Sequence, residues 1–258
     1  KAYYSEDWQT INEATLYESD GTTPYVPSTY DNFTNTKEDK NRKYVNGQDL
    51  FVFGNYGITD ENNTRRVIWG SFDNGHSYKV LYEFNIPGAY TIRHVHTVIY
   101  NPNYDKFLCA CGDAESEARV LQFEISGNSM TNLTQLGSGT EHYMWAAIAF
   151  YGEDVYYCLE NSPSAVVRVK FTEISDPTKH HNILENLPNY PIGVFIGDHG
   201  DMLVTLTRFR AGDSYSPINY KYDARKMYYS EDREHFHEII TEDFPGKSEN
   251  IYIFYGFY

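Results

Sequence analysis

The stretch SFDNGHSY, residues 71–78, has the pattern Ser-x-Asp-x-Gly-x-Ser-Tyr and lies between two apolar runs, RRVIWG and KVLYEF. Ser and Asp side chains hydrogen-bond the backbone of tight turns, and Gly adopts positive φ without strain. The flanking runs therefore predict two strands joined by this turn. Partial copies begin at Ser5 (SEDWQT) and Ser230 (SEDREHF), which indicates a repeated hairpin.

Five hairpin-like units of this kind recur, beginning at residues 1, 65, 118, 165 and 225. Strand–turn–strand segments such as HVHTVIYNPNYDKFLCACGD lie between them, so each repeat has the size of a four-stranded propeller blade. We expect residues 1–258 to form a single all-β domain, a five-bladed β-propeller of four-stranded antiparallel blades. The C-terminal IYIFYGFY is expected to pair with the N-terminal strands in one blade and close the ring.

Alternating side chains support half-buried antiparallel strands. VVRVKF places Val167 and Val169 on one face and Arg168 on the other, and ARVLQFEI alternates in the same way. The chain has three cysteines. Cys109 and Cys111 share one face of a strand, a geometry that does not suit a mutual disulfide, so buried free thiols are predicted.

Charge and hydropathy narrow the classes of partner. A net charge of −15 argues against nucleic acid and against a polybasic contact with anionic membranes. No apolar run reaches the ~20 residues of a membrane-spanning helix, and no signal peptide is recognisable. Because the chain opens on Lys1 rather than on Met, we expect it to be a segment of a longer chain.

The stretch 71–78 resembles the Asp-box (BNR) motif of sialidase-like β-propellers. The resemblance implies a structural motif in the turn of the outer hairpin of a blade, with its aromatic residue packed between blades. The full copy consists of Ser71, Asp73, Gly75, Ser77 and Tyr78, and the partial copies are Ser5/Asp7 and Ser230/Asp232.

The opposite face of a propeller collects the loops that enter the first strand and leave the second strand of each blade, and ligands usually bind there. Aromatic rings stack on sugars and Arg pairs with phosphate or carboxylate, so such residues on this face suit an anionic glycan. For each single residue the alternative is a structural role, either in an ion pair between blades or as a residue of the channel whose polar groups are already hydrogen-bonded. The predicted ligand-binding residues are Tyr56, Arg93, His94, His96, Asp113, Tyr143, Trp145, Glu160, Asn161, Arg208 and Arg210.

Two motifs invite a metal interpretation. His94 and His96 flank Val95, so both imidazoles lie on one side of a strand, and Asp113 could supply a third ligand. A structural His–Asp hydrogen bond is the favoured interpretation, and no metal or cofactor is predicted. GDHGD, residues 197–201, aligns with hairpin turns on the face away from the ligand.

The HVHTVIYNPNYDKFLCACGD segment also resembles the inner hairpin of receptor-binding propellers in tail fibres of phages that infect low-GC Gram-positive bacteria. The resemblance implies binding of a wall glycopolymer such as teichoic acid, at the virion surface or otherwise outside the cell. Homotrimers would form through segments outside this chain. The alternative is a sialidase-like or other glycoside hydrolase, with Asp113 and Glu160 as paired carboxylates. The Arg-Ile-Pro-like start of sialidases is absent, so a binding module is favoured and no catalytic residue is assigned.

Overall fold

The computed structural model describes residues 2–5, 9–26, 31–33, 41–45, 47–57, 65–159, 163–187, 190–206 and 224–243. The chain forms two compact units, Lys1–Tyr143 and Met144–Tyr258, and the expectation of a single domain stays a prediction. Strands dominate both units. The helices of the described part are the short 3-10 helices Glu141–Tyr143, Phe171–Glu173 and Pro177–Lys179. None of these has the length and apolarity that crossing a membrane would require.

Within the described residues, the first unit contains three sheets. Its strands are β1 (Tyr3–Tyr4), β2 (Asn12–Glu13), β3 (Thr15–Tyr17), β4 (Asp31–Phe33), β5 (Arg42–Val45), β6 (Gln48–Gly57), β7 (Val67–Ser71), β8 (Ser77–Glu83), β9 (Val95–Asn101), β10 (Lys106–Cys111), β11 (Arg119–Ser126) and β12 (Ser129–Ser138). Strand β1 pairs with β2. The second sheet has the order β3-β8-β7-β6-β4, with β5 also on β6, and the third is the meander β12-β11-β10-β9.

The second unit contains two four-stranded antiparallel meanders, β13-β14-β15-β16 and β17-β18-β19-β20. Their strands are β13 (Trp145–Tyr151), β14 (Asp154–Leu159), β15 (Val166–Lys170), β16 (His181–Leu184), β17 (Pro191–Ile196), β18 (Met202–Leu206), β19 (Ala224–Ser230) and β20 (His237–Asp243). In β15, Val167 and Val169 are buried while Arg168 is partly exposed, as the alternation predicts.

Burial falls from the first strand to the last strand of each meander. Strands β9 and β10 are almost entirely buried, whereas β12 is largely exposed. The same contrast holds between β13 and β16. Within each unit two sheets pack face to face through apolar clusters and bring inner strands together, β6 against β9 and β13 against β17. Neighbouring blades of a propeller are arranged in this way.

The structure confirms an all-β chain of four-stranded antiparallel blades and corrects the number of blades. Four sheets of blade size are present among the described residues, rather than five. The expected fifth blade is represented there only by the two-stranded β1–β2 pair, and its other half, residues 251–258, lies outside the described part. Strand β3 instead adds to β8 in parallel, because Leu16 is buried beside Tyr78 and Val80 in one apolar cluster.

The cysteine prediction is confirmed: Cys109, Cys111 and Cys158 are buried free thiols. Cys109 and Cys111 lie in the core between the second and third sheets of the first unit. They act there as small apolar residues.

Candidate functional site

Five of the predicted ligand-binding residues meet in the first unit. Tyr56 lies at the end of β6, Arg93 and His94 immediately before β9, His96 in β9, and Asp113 just after β10. The rings of Tyr56 and His94 are stacked with centroids 3.9 Å apart, and Asp113 contacts both imidazoles. We call Tyr56, Arg93, His94, His96 and Asp113 the histidine cluster.

Strand alternation turns the two imidazoles to one side. Val95, between them, points to the opposite side and packs on the backbone of β6. A Cβ at Gly54 would lie 2.3 Å from Val95 Cγ1, so only glycine permits this approach. The close packing of β6 on β9 places Tyr56, two residues further along β6, over His94.

A glycine turn brings Asp113 back over the imidazoles. The Gly112 N–H donates to the His94 carbonyl at 3.2 Å, which holds the end of β10 beside the start of β9. Gly112 has φ of +89° and lies so close to the next turn that its added Cβ would be 2.3 Å from the Glu117 carbonyl oxygen. Backbone geometry therefore requires glycine at position 112 of CACGD. The turn that Gly112 forms directs the Asp113 carboxylate to the imidazoles.

Three polar atoms converge at the centre of the cluster. The two Nε2 atoms of His94 and His96 are 2.7 Å apart. Asp113 Oδ1 lies 2.6 Å from the His94 Nε2 atom and 2.8 Å from the His96 Nε2 atom. Both imidazole side chains are 3% exposed, whereas the Asp113 side chain is 29% exposed, so the cluster meets solvent through its carboxylate side.

The two imidazoles keep Asp113 charged. Burial by itself would raise the pKa of Asp113, but hydrogen bonds from His94 and His96 outweigh it and hold the pKa well below its usual range. Arg93 Nη1 lies 3.2 Å from Asp113 Oδ2. The Arg93 contact engages one carboxylate oxygen and leaves the other directed at the two imidazoles.

Two buried polar residues, Asn55 and Arg66, hold the backbone beside the histidine cluster in place. Asn55 Nδ2 donates to the Arg65 carbonyl at 2.5 Å, and Asn55 Oδ1 accepts from the Val67 N–H at 2.8 Å, so the end of β6 is tied to the start of β7. Arg66, which is 5% exposed, donates through Nε to the Arg93 carbonyl. Sequence reasoning missed Arg66, because an Arg-Arg pair before a strand is typical of a surface.

Two predicted ligand-binding aromatics are core residues instead. Trp145 is fully buried and stacked on Tyr157, with ring centroids 3.9 Å apart. Tyr143 is 4% exposed and covers Gly137, where an added Cβ would lie 2.0 Å from the Tyr143 ring. Neither ring has a face available for a sugar, whereas Tyr56 is 38% exposed.

The remaining predicted ligand-binding residues lie outside the described part of the chain: Glu160, Asn161, Arg208 and Arg210. Their roles stay predictions.

The turn at residues 71–78 lies at the other end of the second sheet. Ser71 pairs with Phe51 near the start of β6, while Tyr56 lies near the end of that strand. Asp73 accepts from the Ser71 hydroxyl at 2.9 Å, the Ser77 N–H at 2.9 Å and the Ser77 hydroxyl at 2.6 Å. Gly75 has φ of +88° and its N–H donates to Ser71 Oγ. This turn is thus built by local side-chain capping, and Tyr78 is buried beneath it.

The partial copy that begins at Ser230, in the second unit, is also held by local side-chain capping. Ser230 Oγ donates to Asp232 Oδ1 at 3.0 Å, and Asp232 caps the N–H groups of Glu234 and His235. The GDHGD segment is a hairpin turn between β17 and β18, closed by the Gly197 N–H on the Asp201 carbonyl. Ser5 lies just after β1, and its partner Asp7 is outside the described residues.

Comparisons with known proteins find only weak similarity to this chain. No family model and no curated protein matches the sequence. One similar solved structure is the GH93 α-L-arabinofuranosidase of Fusarium graminearum with arabinobiose, at 13% identity and a TM-score of 0.41, covering 87% of this chain and 75% of that one. Another is the α-L-arabinofuranosidase from the same organism with an iminosugar inhibitor, at 13% identity and a TM-score of 0.40, covering 83% and 72%. These values are too low to carry an activity over to this chain.

Proposed function

We propose that the chain is a carbohydrate-recognition module that docks on a cell-surface glycopolymer of the teichoic-acid type, as the receptor-binding propeller of a phage tail fibre does. The observation that carries the proposal is the convergence of an exposed tyrosine ring, a guanidinium and a carboxylate at one end of the first unit. Such a set can stack on a sugar ring and bind its hydroxyl and anionic groups.

The negative net charge of the chain limits how an anionic polymer could bind. With a net charge of −15, the chain repels a polyanion at long range, so attraction must come from a local basic contact. We propose Arg93 for this role. Arg208 and Arg210, predicted from the sequence as further ligand-binding arginines, stay predictions. A tail-fibre role would place the chain on the virion surface, as a homotrimer held by segments beyond it.

The decisive experiment measures binding of the chain to purified wall glycopolymer and to whole cells. Tyr56→Ala and Arg93→Ala should each weaken binding by about tenfold or more, which corresponds to about 1.4 kcal/mol. Tyr44→Ala and Arg42→Ala are the matched controls. Tyr44 is 71% exposed and Arg42 makes only a peripheral ion pair at 3.5 Å with Asp49, so both should bind as the parent chain does. Equal binding by all four folded variants would refute the proposal.

The second candidate function is a glycoside hydrolase, and the charged state of Asp113 restricts it. A carboxyl with a lowered pKa stays ionised at neutral pH, so Asp113 could serve only as base or nucleophile. The acid would be Glu160. Product release from an oligosaccharide panel, abolished by Asp113→Asn and by Glu160→Gln, would establish this function. Binding without turnover would exclude it in favour of the recognition module.

A further inference from the structure

We propose that His94 Nε2, His96 Nε2 and Asp113 Oδ1 form a binding site for one divalent first-row transition-metal ion. The site goes beyond the proposed glycan function and does not depend on it. Among the described residues, these three are brought together so that their ligand atoms lie within 4.8 Å of one another. The actual separations are 2.6, 2.7 and 2.8 Å.

Protons cannot satisfy all three contacts at once. An imidazole Nε2 atom carries either one N–H or one lone pair, and an aspartate oxygen only accepts. If both imidazoles donate to Asp113, their N–H groups face each other across 2.7 Å. If one imidazole donates to the other, a bare nitrogen faces the carboxylate oxygen at 2.6 or 2.8 Å. Each assignment leaves one repulsive contact, whereas a cation attracts all three lone pairs together.

The spacing of the ligand atoms suits an ion with bonds at right angles. With metal–ligand bonds of about 2.0–2.1 Å, ligand atoms lie roughly 2.9 Å apart at right angles and roughly 3.3 Å apart in a tetrahedron. The observed edges are closer to the first arrangement. Two imidazoles and one carboxylate on one side of an ion leave further positions open for water or for ligand oxygens.

The donor set also selects the class of metal. Imidazole nitrogen suits Zn²⁺, Fe²⁺ and Ni²⁺, and the carboxylate oxygen also suits Mn²⁺, whereas Ca²⁺ and Mg²⁺ prefer sites made of oxygen ligands alone. Two neighbouring residues orient the ligands: Arg93 holds Asp113 Oδ2, and Tyr56 stacks on the His94 ring. Access is through the exposed side, where Asp113, Arg93 and Tyr56 are all partly exposed.

The test is titration of chelator-treated protein with Zn²⁺, Co²⁺ and Mn²⁺ singly, by calorimetry, with no glycan present. We expect one ion per chain, a rise in the unfolding temperature with the bound ion, and a Co²⁺ absorption spectrum of nitrogen and oxygen ligands. Asp113→Asn should weaken binding at least about tenfold and His96→Ala at least about a hundredfold, since outer-shell changes alone cost 10–100-fold.

His199→Gln is the matched control, because His199 is an exposed histidine flanked by carboxylates in the GDHGD turn. It should bind metal as the parent chain does. If His96→Ala does not fold, Asp113→Asn decides, because its change is confined to a partly exposed side chain. Absence of binding by the folded parent chain for all three ions would overturn the proposal. So would binding that Asp113→Asn leaves unchanged, or that His199→Gln removes. Glycan binding by metal-free protein is measured separately, so failure of either proposal is distinguishable.

Discussion

Gly112 and Glu117 approach so closely that a Cβ at position 112 would lie 2.3 Å from the Glu117 carbonyl oxygen. Gly112→Ala should therefore destabilise the chain by about 2 kcal/mol or more, since it adds a backbone clash to the strain of φ at +89°. It should also displace Asp113 and weaken any ligand of the histidine cluster. Urea unfolding monitored by circular dichroism gives the stability.

The control for this change is Gly127→Ala. Gly127 also has positive φ, but an added Cβ there would meet nothing within 4 Å. The change should cost only the strain of the left-handed conformation, about 1–2 kcal/mol. Equal losses in both variants would show that the contact with Glu117 contributes nothing.

Trp145→Ala should affect stability rather than binding. The indole is fully buried and stacked on Tyr157, and truncation of a buried tryptophan costs about 3–5 kcal/mol. Trp145→Phe should cost less and leave glycan binding unchanged when measured on folded protein. A Trp145→Phe variant of parental stability with weaker glycan binding would instead restore Trp145 to the ligand site.

The local geometry of the histidine cluster could be predicted from the sequence. Alternation in RHVH places two imidazoles on one side, and adjacent antiparallel strands bring the end of β10 beside the start of β9. The burial of Trp145 could not be predicted, because an aromatic residue at a strand start has the same pattern in a core and at a rim. The burial of Trp145 depends on its stacking partner, Tyr157, which lies on the neighbouring strand.

Contacts between strands and residues that are far apart in the sequence could not be predicted from the sequence either. Strand β3 joins β8 in parallel, although TLY has the composition of a strand in any orientation. Arg66 is buried and donates through Nε to the Arg93 carbonyl, and nothing in the sequence around residue 66 indicates this partner. Alternation describes one strand at a time, whereas these contacts depend on which strands become neighbours.

Asp73→Ala should destabilise the turn at residues 71–78 without changing ligand binding. The change removes three hydrogen bonds to Ser71 and Ser77, and hydrogen bonds of this kind contribute about 1 kcal/mol each. We expect a loss of about 3 kcal/mol in urea unfolding and unchanged glycan and metal affinity. Asp232→Ala is the control. Asp232 also accepts three hydrogen bonds, but its side chain is 53% exposed, so water replaces the lost contacts and the change should cost less. Loss of binding by a folded Asp73→Ala variant would contradict a purely structural role.

Tyr78 should make stability fall in alkali. Burial, assisted by the nearby Asp73 charge, raises the pKa of Tyr78 to about 12, whereas an unfolded tyrosine titrates near pH 10. The folded state therefore favours the neutral phenol. This contribution is fully present below about pH 10 and is lost as the pH rises through about 12.

Tyr78→Phe cannot ionise, so the stability difference between parent and variant should shift against the parent across this interval. Tyr44→Phe, at a 71% exposed position, is the control for removal of a surface hydroxyl. A constant difference between parent and Tyr78→Phe from about pH 8 to 12 would show that the buried phenol does not resist ionisation.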